Sequence, residues 1–202
     1  MSMQAVQSEI SAEEYFSVDA VNQSLLKEVL RSPAHAASYV GHPKKPTAAM
    51  QLGTAVHATI LNAANFENEV VVQPEINRRT KDGKVEYEKF LYRSQGKAVI
   101  TREQAVTCMH VANSVAGSRK AARLLGGGMT EQSFLWKDER TALTCKARID
   151  VLLKDEKKIV DLKTTADASP SGFARTVSKF GYHIQAAFYL RAVSGLPRGI
   201  DA

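Results

Sequence analysis

The chain has 202 residues, of which 44% are hydrophobic and 24% charged, and its formal net charge is +6 at pH 7. A chain of this length can bury the core of one soluble domain. It contains no run of about 18 apolar residues, so no membrane-spanning helix is predicted. The positive charge and the pI of about 9.3 favour a polyanionic partner.

Targeting and redox signals are sparse. The N-terminal residues MSMQAVQSEISAEEYF lack the basic and apolar parts of a secretory signal. The two cysteines, Cys108 and Cys145, lie far apart and match no metal-ligand spacing. We therefore expect a reduced, cytoplasmic protein.

Apolar periodicity predicts helices over 21–40, 48–64 and 101–125, and a short strand over 70–72. Asn22 or Ser24 is expected to cap the first helix, which Ser32-Pro33 interrupts. Thr101 and Gln104 match a capping box. The glycines at 126–128 are expected to end the third helix.

Residues 76–90 have poor apolar periodicity and are predicted to form a mobile basic loop. Its cations either cover a solvated face or contact DNA. They are Arg78, Arg79, Lys81, Lys84 and Lys89.

Alternating residues predict strands over 131–136, 143–153 and 158–164, joined as a meander of antiparallel hairpins, and a last helix over 173–194. The order of helices, three strands and a helix indicates an α/β (α+β) domain. Trp136 is expected to pack in its core.

Three charged side chains are expected to meet on the polar side of these strands. Residues two apart share a strand face, so pairing the last two strands brings Asp150, Asp161 and Lys163 together. Two carboxylates beside an ammonium are costly in a half-buried sheet unless they are paired or bind metal. Carboxylate oxygens are ligands for Mg²⁺, which polarises phosphoryl groups and activates water. A surface salt bridge is the alternative explanation.

Four features resemble the PD-(D/E)XK nuclease superfamily, particularly its RecE (exonuclease VIII)-like and RecB-like branch. Asp150 followed by Asp161-Leu162-Lys163 resembles the D…(D/E)-x-K signature. Gly53 to His57 resembles the G-x-x-x-H helix motif, and Gln185 to Tyr189 resembles the Q-x-x-x-Y motif. Glu131 lies where these families carry an acidic residue on the first core strand. Taken singly, His57 could be a core histidine, and Glu131 a charge at a strand edge.

The resemblance implies a restriction-endonuclease-like core with a mixed sheet flanked by helices. It implies a role for each candidate residue. The catalytic residues are Asp150, Asp161, Lys163 and Glu131; the metal-site residues are His57, Asp150, Asp161 and Leu162; and the DNA-binding residues are Gln185, Tyr189, Arg78, Arg79 and Lys81.

The resemblance also implies a function and partners. The expected activity is a Mg²⁺-dependent 5′→3′ exonuclease on double-stranded DNA in phage-type recombination, with Mn²⁺ as a possible substitute. A single-strand annealing protein and a homo-oligomeric ring are the expected partners. Two alternatives stay open: a non-catalytic DNA-binding or decoy protein on a degenerate scaffold, and an endonuclease of the same fold.

We expect a single domain over 1–202, with a helical part at 15–65, the basic loop at 76–90 and a catalytic core at 129–194. Members of the superfamily normally carry a further core strand after the last helix. Residues 195–202 are too short, and too interrupted by Pro197 and Gly199, to form it. An open, apolar sheet edge would then promote self-association.

Overall fold

The computed structural model describes residues 6–7, 12–42 and 45–194, which fall into two compact units. The first unit comprises Met1–Lys44, Gly127–Asp161 and Thr165–Ala202, and the second Lys45–Gly126 and Leu162–Thr164. The segment 195–202, on which the prediction of a missing strand rests, lies outside the described residues.

The secondary structure is mixed α/β, as predicted. The helices are α1 (Ala12–Ser17), α2 (Gln23–Arg31), α3 (Pro33–Gly41), α4 (Ala48–Leu61), α5 (Phe66–Glu69), α6 (Lys81–Arg93), α7 (Arg102–Gly117), α8 (Arg119–Gly126), α9 (Pro170–Phe180) and α10 (Tyr182–Ser194). The strands are β1 (Val6–Gln7), β2 (Val70–Val72), β3 (Ala98–Ile100), β4 (Met129–Lys137), β5 (Thr144–Leu153) and β6 (Lys158–Val160).

The first unit contains a four-stranded sheet in the order β1-β4-β5-β6, and all its pairs are antiparallel. The predicted meander is confirmed, but the count of three strands was wrong because β1 adds a fourth beside β4. The prediction for 158–164 was also too long, since β6 ends at Val160 and the D-x-K residues follow in irregular backbone. Among the described residues, no strand pairs with the outer edge of β6.

Helix α10 and the β4–β5 hairpin enclose the core of the first unit. Phe134 and Ile149 are fully buried there, and Trp136 packs against Phe188 with ring centroids 4.9 Å apart. The prediction that Trp136 is a core residue is confirmed. This packing fixes the helix that carries Gln185 and Tyr189 against the strands that carry the acidic residues.

Lys146 joins the N-terminal segment to β5. Its ammonium, 5% exposed, donates to the main-chain oxygens of Tyr15 at 2.9 Å and Val18 at 2.6 Å. Val21 continues this connection, since its main chain bonds to Thr144 and Lys146. Burial lowers the pKa of Lys146, which two carbonyl oxygens stabilise in its charged form.

Local cap chemistry explains where several helices begin. The predicted Asn22 cap is confirmed, because its side chain accepts from the Leu25 N–H at 2.9 Å. Ser32 is extended and caps α3, which has Pro33 at its first position, so the interruption predicted at this dipeptide separates α2 from α3. Thr101 and Gln104 form the predicted capping box of α7.

The predicted helix over 173–194 is two helices. Gly181 adopts a left-handed conformation with φ of 61°, ends α9 and lets α10 begin at Tyr182. A Cβ there would approach Ile184 Cδ1 to 3.1 Å. Sequence periodicity continued across this glycine and concealed the turn.

The second unit packs α4 and α7 around a parallel β2–β3 pair, with Ala55, Ile100 and Cys108 in its core. The predicted strand 70–72 and the helix starting at 48 are confirmed. The predicted helix over 101–125 is interrupted between α7 and α8, where Ser118 is extended. No described helix has the length and apolarity needed to cross a membrane.

The interpretation of 76–90 as a mobile loop was wrong for most of its length. Helix α6 covers Lys81–Arg93, capped by Thr80, whose hydroxyl accepts from the Gly83 N–H at 3.0 Å. Gly83 and Phe90 are buried on one side of this helix. Because this helix buries only these two residues, its sequence has too few apolar positions to show a helical period.

We predict that Gly128→Ala lowers the stability of the protein. A Cβ at position 128 would lie 2.7 Å from the Leu152 carbonyl oxygen and 2.8 Å from Val151 Cγ1. Because main-chain atoms yield little, the cost should be about 1–3 kcal/mol. Thermal unfolding measures it.

Gly126→Ala is the matched control, since nothing lies within 4 Å of its Cβ position at the end of α8. Its melting temperature should equal or exceed that of the native chain, because alanine favours helix. Equal melting temperatures for both variants would show that Gly128 is not required by close packing.

Candidate active site

Three carboxylates, called the carboxylate row below, lie on or next to neighbouring strands of the first unit: Glu131 on β4, Asp150 on β5 and Asp161 directly after β6. Thr130 pairs with Val151 and Gln132 with Ile149, which sets Glu131 opposite Asp150. A carboxylate oxygen of Glu131 lies within 4.8 Å of one of Asp150. On the other side of β5, Val160 is the last residue of β6 to pair, and Asp161 follows it.

Glu131 has an unusual backbone for a strand residue, with φ of 54°. A non-glycine residue in this region costs about 1–3 kcal/mol and is frequent at functional sites. Its carboxylate pairs with Arg148 Nε at 2.5 Å, and Arg148 Nη1 also donates to Ser133 Oγ at 3.2 Å. Both partners of the ion pair are less than a quarter exposed. Arg148 therefore holds the strained acidic residue in place.

Helix α10 supplies the partner of Asp161. The Gln185 side chain, 7% exposed, donates from Nε2 to Asp161 Oδ1 at 2.9 Å. Gln185 also forms a side-chain hydrogen bond with Tyr189, one helical turn further on. The two residues of the Q-x-x-x-Y motif are thus brought to one carboxylate of the row.

Two tyrosines of the first unit, Tyr189 and Tyr15, are buried. Burial is the main cause that raises the pKa of Tyr189, and the carboxylates of Asp161 and Asp150 add to it. Burial also raises the pKa of Tyr15 to about 12, an effect that nearby Arg148 reduces. Both phenols are therefore neutral at physiological pH and can donate a hydrogen bond.

Two further predicted residues, His57 and Lys163, belong to the second unit. Both are half-buried, and His57 lies on α4. Gly53 on the same helix has Thr164 Oγ1 at 3.5 Å from the position of its Cβ, so α4 packs closely against the segment 162–164. That segment includes Leu162 and follows Asp161 directly in the chain.

The predicted DNA-binding cations Arg78, Arg79 and Lys81 are all exposed on the second unit, at the start of α6. The Arg78 guanidinium lies 4.7 Å from the centre of the Tyr87 ring. This contact holds Arg78 against the helix while its side chain stays accessible.

Sequence reasoning missed two contributors to this region. The ion pair of Arg148 with Glu131 was not identified from the sequence. Tyr15 carried no signal, because a tyrosine far from the strands in sequence comes near Arg148 only through tertiary packing.

The donor chemistry of the row fits a hard divalent cation. Glu131, Asp150 and Asp161 offer carboxylate oxygens only, the ligands that Mg²⁺ and Mn²⁺ prefer. Arg148 compensates part of their charge, and the buried Gln185 amide orients one of them. Carboxylates that bind metals are typically held by hydrogen-bond partners of this kind.

Fold and site together define a nuclease-type α/β domain. The chain belongs to the PD-(D/E)XK superfamily: the family model described as a PDDEXK-like domain of unknown function (DUF3799) matches residues 22–198. This match confirms the superfamily inferred from the D…D-x-K pattern. No curated protein matches the chain.

We predict that Arg148→Met destabilises the metal-free protein by about 1–3 kcal/mol, between the values for exposed and buried ion pairs. The variant leaves Glu131 and Asp150 to repel each other without the guanidinium. Thermal unfolding in chelator measures the loss, and added Mg²⁺ should recover more stability in the variant than in the native chain.

Arg148→Lys is the control, because it keeps a positive charge near Glu131. It should retain most of the stability in chelator. If Arg148→Met and the native chain unfold at the same temperature, the ion pair does not stabilise the carboxylate row.

Proposed function

We propose that the protein is a Mg²⁺-dependent deoxyribonuclease of the RecE-like type, which digests double-stranded DNA from its 5′ ends in phage-type recombination. The observation that carries the proposal is the approach of Glu131 and Asp150 across β4 and β5, with carboxylate oxygens within 4.8 Å, and the position of Asp161 directly after the neighbouring strand. Such a concentration of carboxylates is costly without a cation. Membership of a nuclease superfamily and the net charge of +6 support a nucleic-acid substrate.

In this proposal Asp150 and Asp161 hold the metal, with help from Glu131, His57 and Leu162. The cation polarises the phosphoryl group and lowers the pKa of bound water, and Mn²⁺ can replace Mg²⁺. The half-buried position of His57 on the G-x-x-x-H helix agrees with a ligand role.

Lys163 orients or deprotonates the attacking water and offsets the charge that develops on the phosphate. Gln185 fixes the orientation of Asp161 through its hydrogen bond, and Gln185 and Tyr189 together guide the substrate. Arg78, Arg79 and Lys81 contact DNA phosphates in this proposal.

The proposed partners follow the same resemblance: double-stranded DNA, a single-strand annealing protein, and further copies of the chain in a ring. The carboxylate row also supports an endonuclease, because exonuclease and endonuclease chemistry use the same ligands. A non-catalytic DNA-binding protein would have less need of three carboxylates in a row.

Digestion of linear and circular duplex DNA tests the proposal. Linear DNA labelled at one end should lose nucleotides from its 5′ ends in Mg²⁺ or Mn²⁺, and chelator should abolish the reaction. Covalently closed circles should survive. Cleavage of circles would show an endonuclease, and DNA binding without cleavage would show a non-catalytic protein.

We predict that Lys163→Ala lowers turnover by about 10²-fold or more, the scale for a lost acid–base or charge-stabilising group. DNA and metal binding should stay near native values. Single-turnover digestion and DNA-binding titrations separate the two effects. Cleavage by Lys163→Ala at the native rate would exclude a catalytic role for this lysine.

The exposed arginines should behave differently. The double change of Arg78 and Arg79 to Ala should weaken DNA binding and reduce the slope of log Kd against log salt, since each phosphate contact contributes about 0.9 to that slope. The single-turnover rate at saturating DNA should stay native. An unchanged slope would show that these cations face solvent only.

A further inference from the structure

A small cavity adjoins the candidate active site within the first unit. It measures about 180 Å³ and includes Asp161 and Gln185 in its lining. Drug-sized ligands occupy pockets of roughly 300–1,000 Å³, so this cavity has room only for a smaller group, such as one ring system.

The walls of the cavity are mostly aromatic and aliphatic. Tyr182 and Tyr189 supply rings, while Ile159, Ala186 and Leu190 supply aliphatic surface. Asp161 and Gln185, which hydrogen-bond to each other at 2.9 Å, form its polar part. A planar group with an apolar face and polar edges fits such a lining.

Tyr182 is held in position by the turn between α9 and α10. Gly181 allows the chain to reverse there with φ of 61°, which makes Tyr182 the first residue of α10. Its ring stacks on that of Phe180, with ring centroids 5.9 Å apart, and lies near that of Phe173, with centroids 6.4 Å apart. The Lys27 ammonium lies 5.8 Å from the ring centre. These contacts hold the Tyr182 ring in a fixed position in the wall of the cavity, with a cation near it.

We propose that this cavity takes the nucleobase of the nucleotide next to the phosphate that is cleaved. The inference rests on the proposed function, which places that phosphate at Asp161. In DNA each phosphodiester links two sugars, and each sugar carries a base, so a base must lie near the reacting group. Every base has a stacking face, which makes an aromatic cavity tolerant of sequence.

The test uses duplexes in which one nucleotide at a time, counted from the 5′ end, is replaced by an abasic tetrahydrofuran residue. Binding is measured by fluorescence anisotropy with Ca²⁺ in place of Mg²⁺. One abasic position should weaken binding to the native chain by about 5- to 100-fold, the equivalent of stacking one base.

Ala186→Trp fills the cavity, and its neighbour Ala187→Trp is the matched control, since both alanines are exposed on α10 and only Ala186 lines the cavity. Ala186→Trp should bind intact and abasic duplexes equally weakly, while Ala187→Trp should discriminate as the native chain does. Leu190→Trp, at a residue that is 58% exposed, is a second filling variant if Ala186→Trp does not fold.

The inference and the proposed function fail separately. Cleavage of linear DNA without a sensitive abasic position would overturn the nucleobase site and leave the nuclease proposal intact. If binding depends on one abasic position but no DNA is cleaved, the base-binding cavity is supported and the nuclease proposal is wrong. If the two alanine variants discriminate alike, or if Ala186→Trp changes only the oligomeric state, the cavity does not hold a base.

Discussion

Repulsion among carboxylates in a half-buried sheet is the constraint on which the site depends. Glu131 and Asp150 face each other across β4 and β5 with oxygens within 4.8 Å. Charges at this distance repel strongly where the dielectric constant is low. Two contacts offset part of this repulsion: Arg148 forms an ion pair with Glu131, and the Gln185 amide donates a hydrogen bond to Asp161. A bound divalent cation would neutralise the remaining negative charge.

The rest of the first unit can be understood as a support for this row. The β4–β5 register sets Glu131 opposite Asp150. The backbone of Glu131 is left-handed there, a conformation that is unfavourable for a residue other than glycine. Packing of Phe188 on Trp136 keeps α10 against the sheet, so that Gln185 reaches Asp161. Loosening that packing should therefore affect the site as well as stability.

Local signals predicted much of this structure. The caps at Asn22 and Thr101 and the β4–β5 hairpin follow from interactions between near neighbours, which a sequence displays directly. The choice of Asp150 and Asp161 as candidate residues came from strand alternation and from the superfamily pattern. The D-x-K residues were nevertheless placed in a strand, whereas β6 ends at Val160, because pairing with a partner strand decides where a strand stops. The Arg148–Glu131 ion pair likewise depends on tertiary structure.

Direct metal binding tests the central claim most simply. Titration calorimetry with Mn²⁺ should detect binding to the native chain. Asp150→Asn removes one carboxylate charge at nearly constant shape and should weaken that binding by at least tenfold, as loss of a ligand requires. Asp167→Asn, at an exposed aspartate outside the row, is the control and should bind as the native chain does. Equal Mn²⁺ affinity for Asp150→Asn and the native chain would contradict the account.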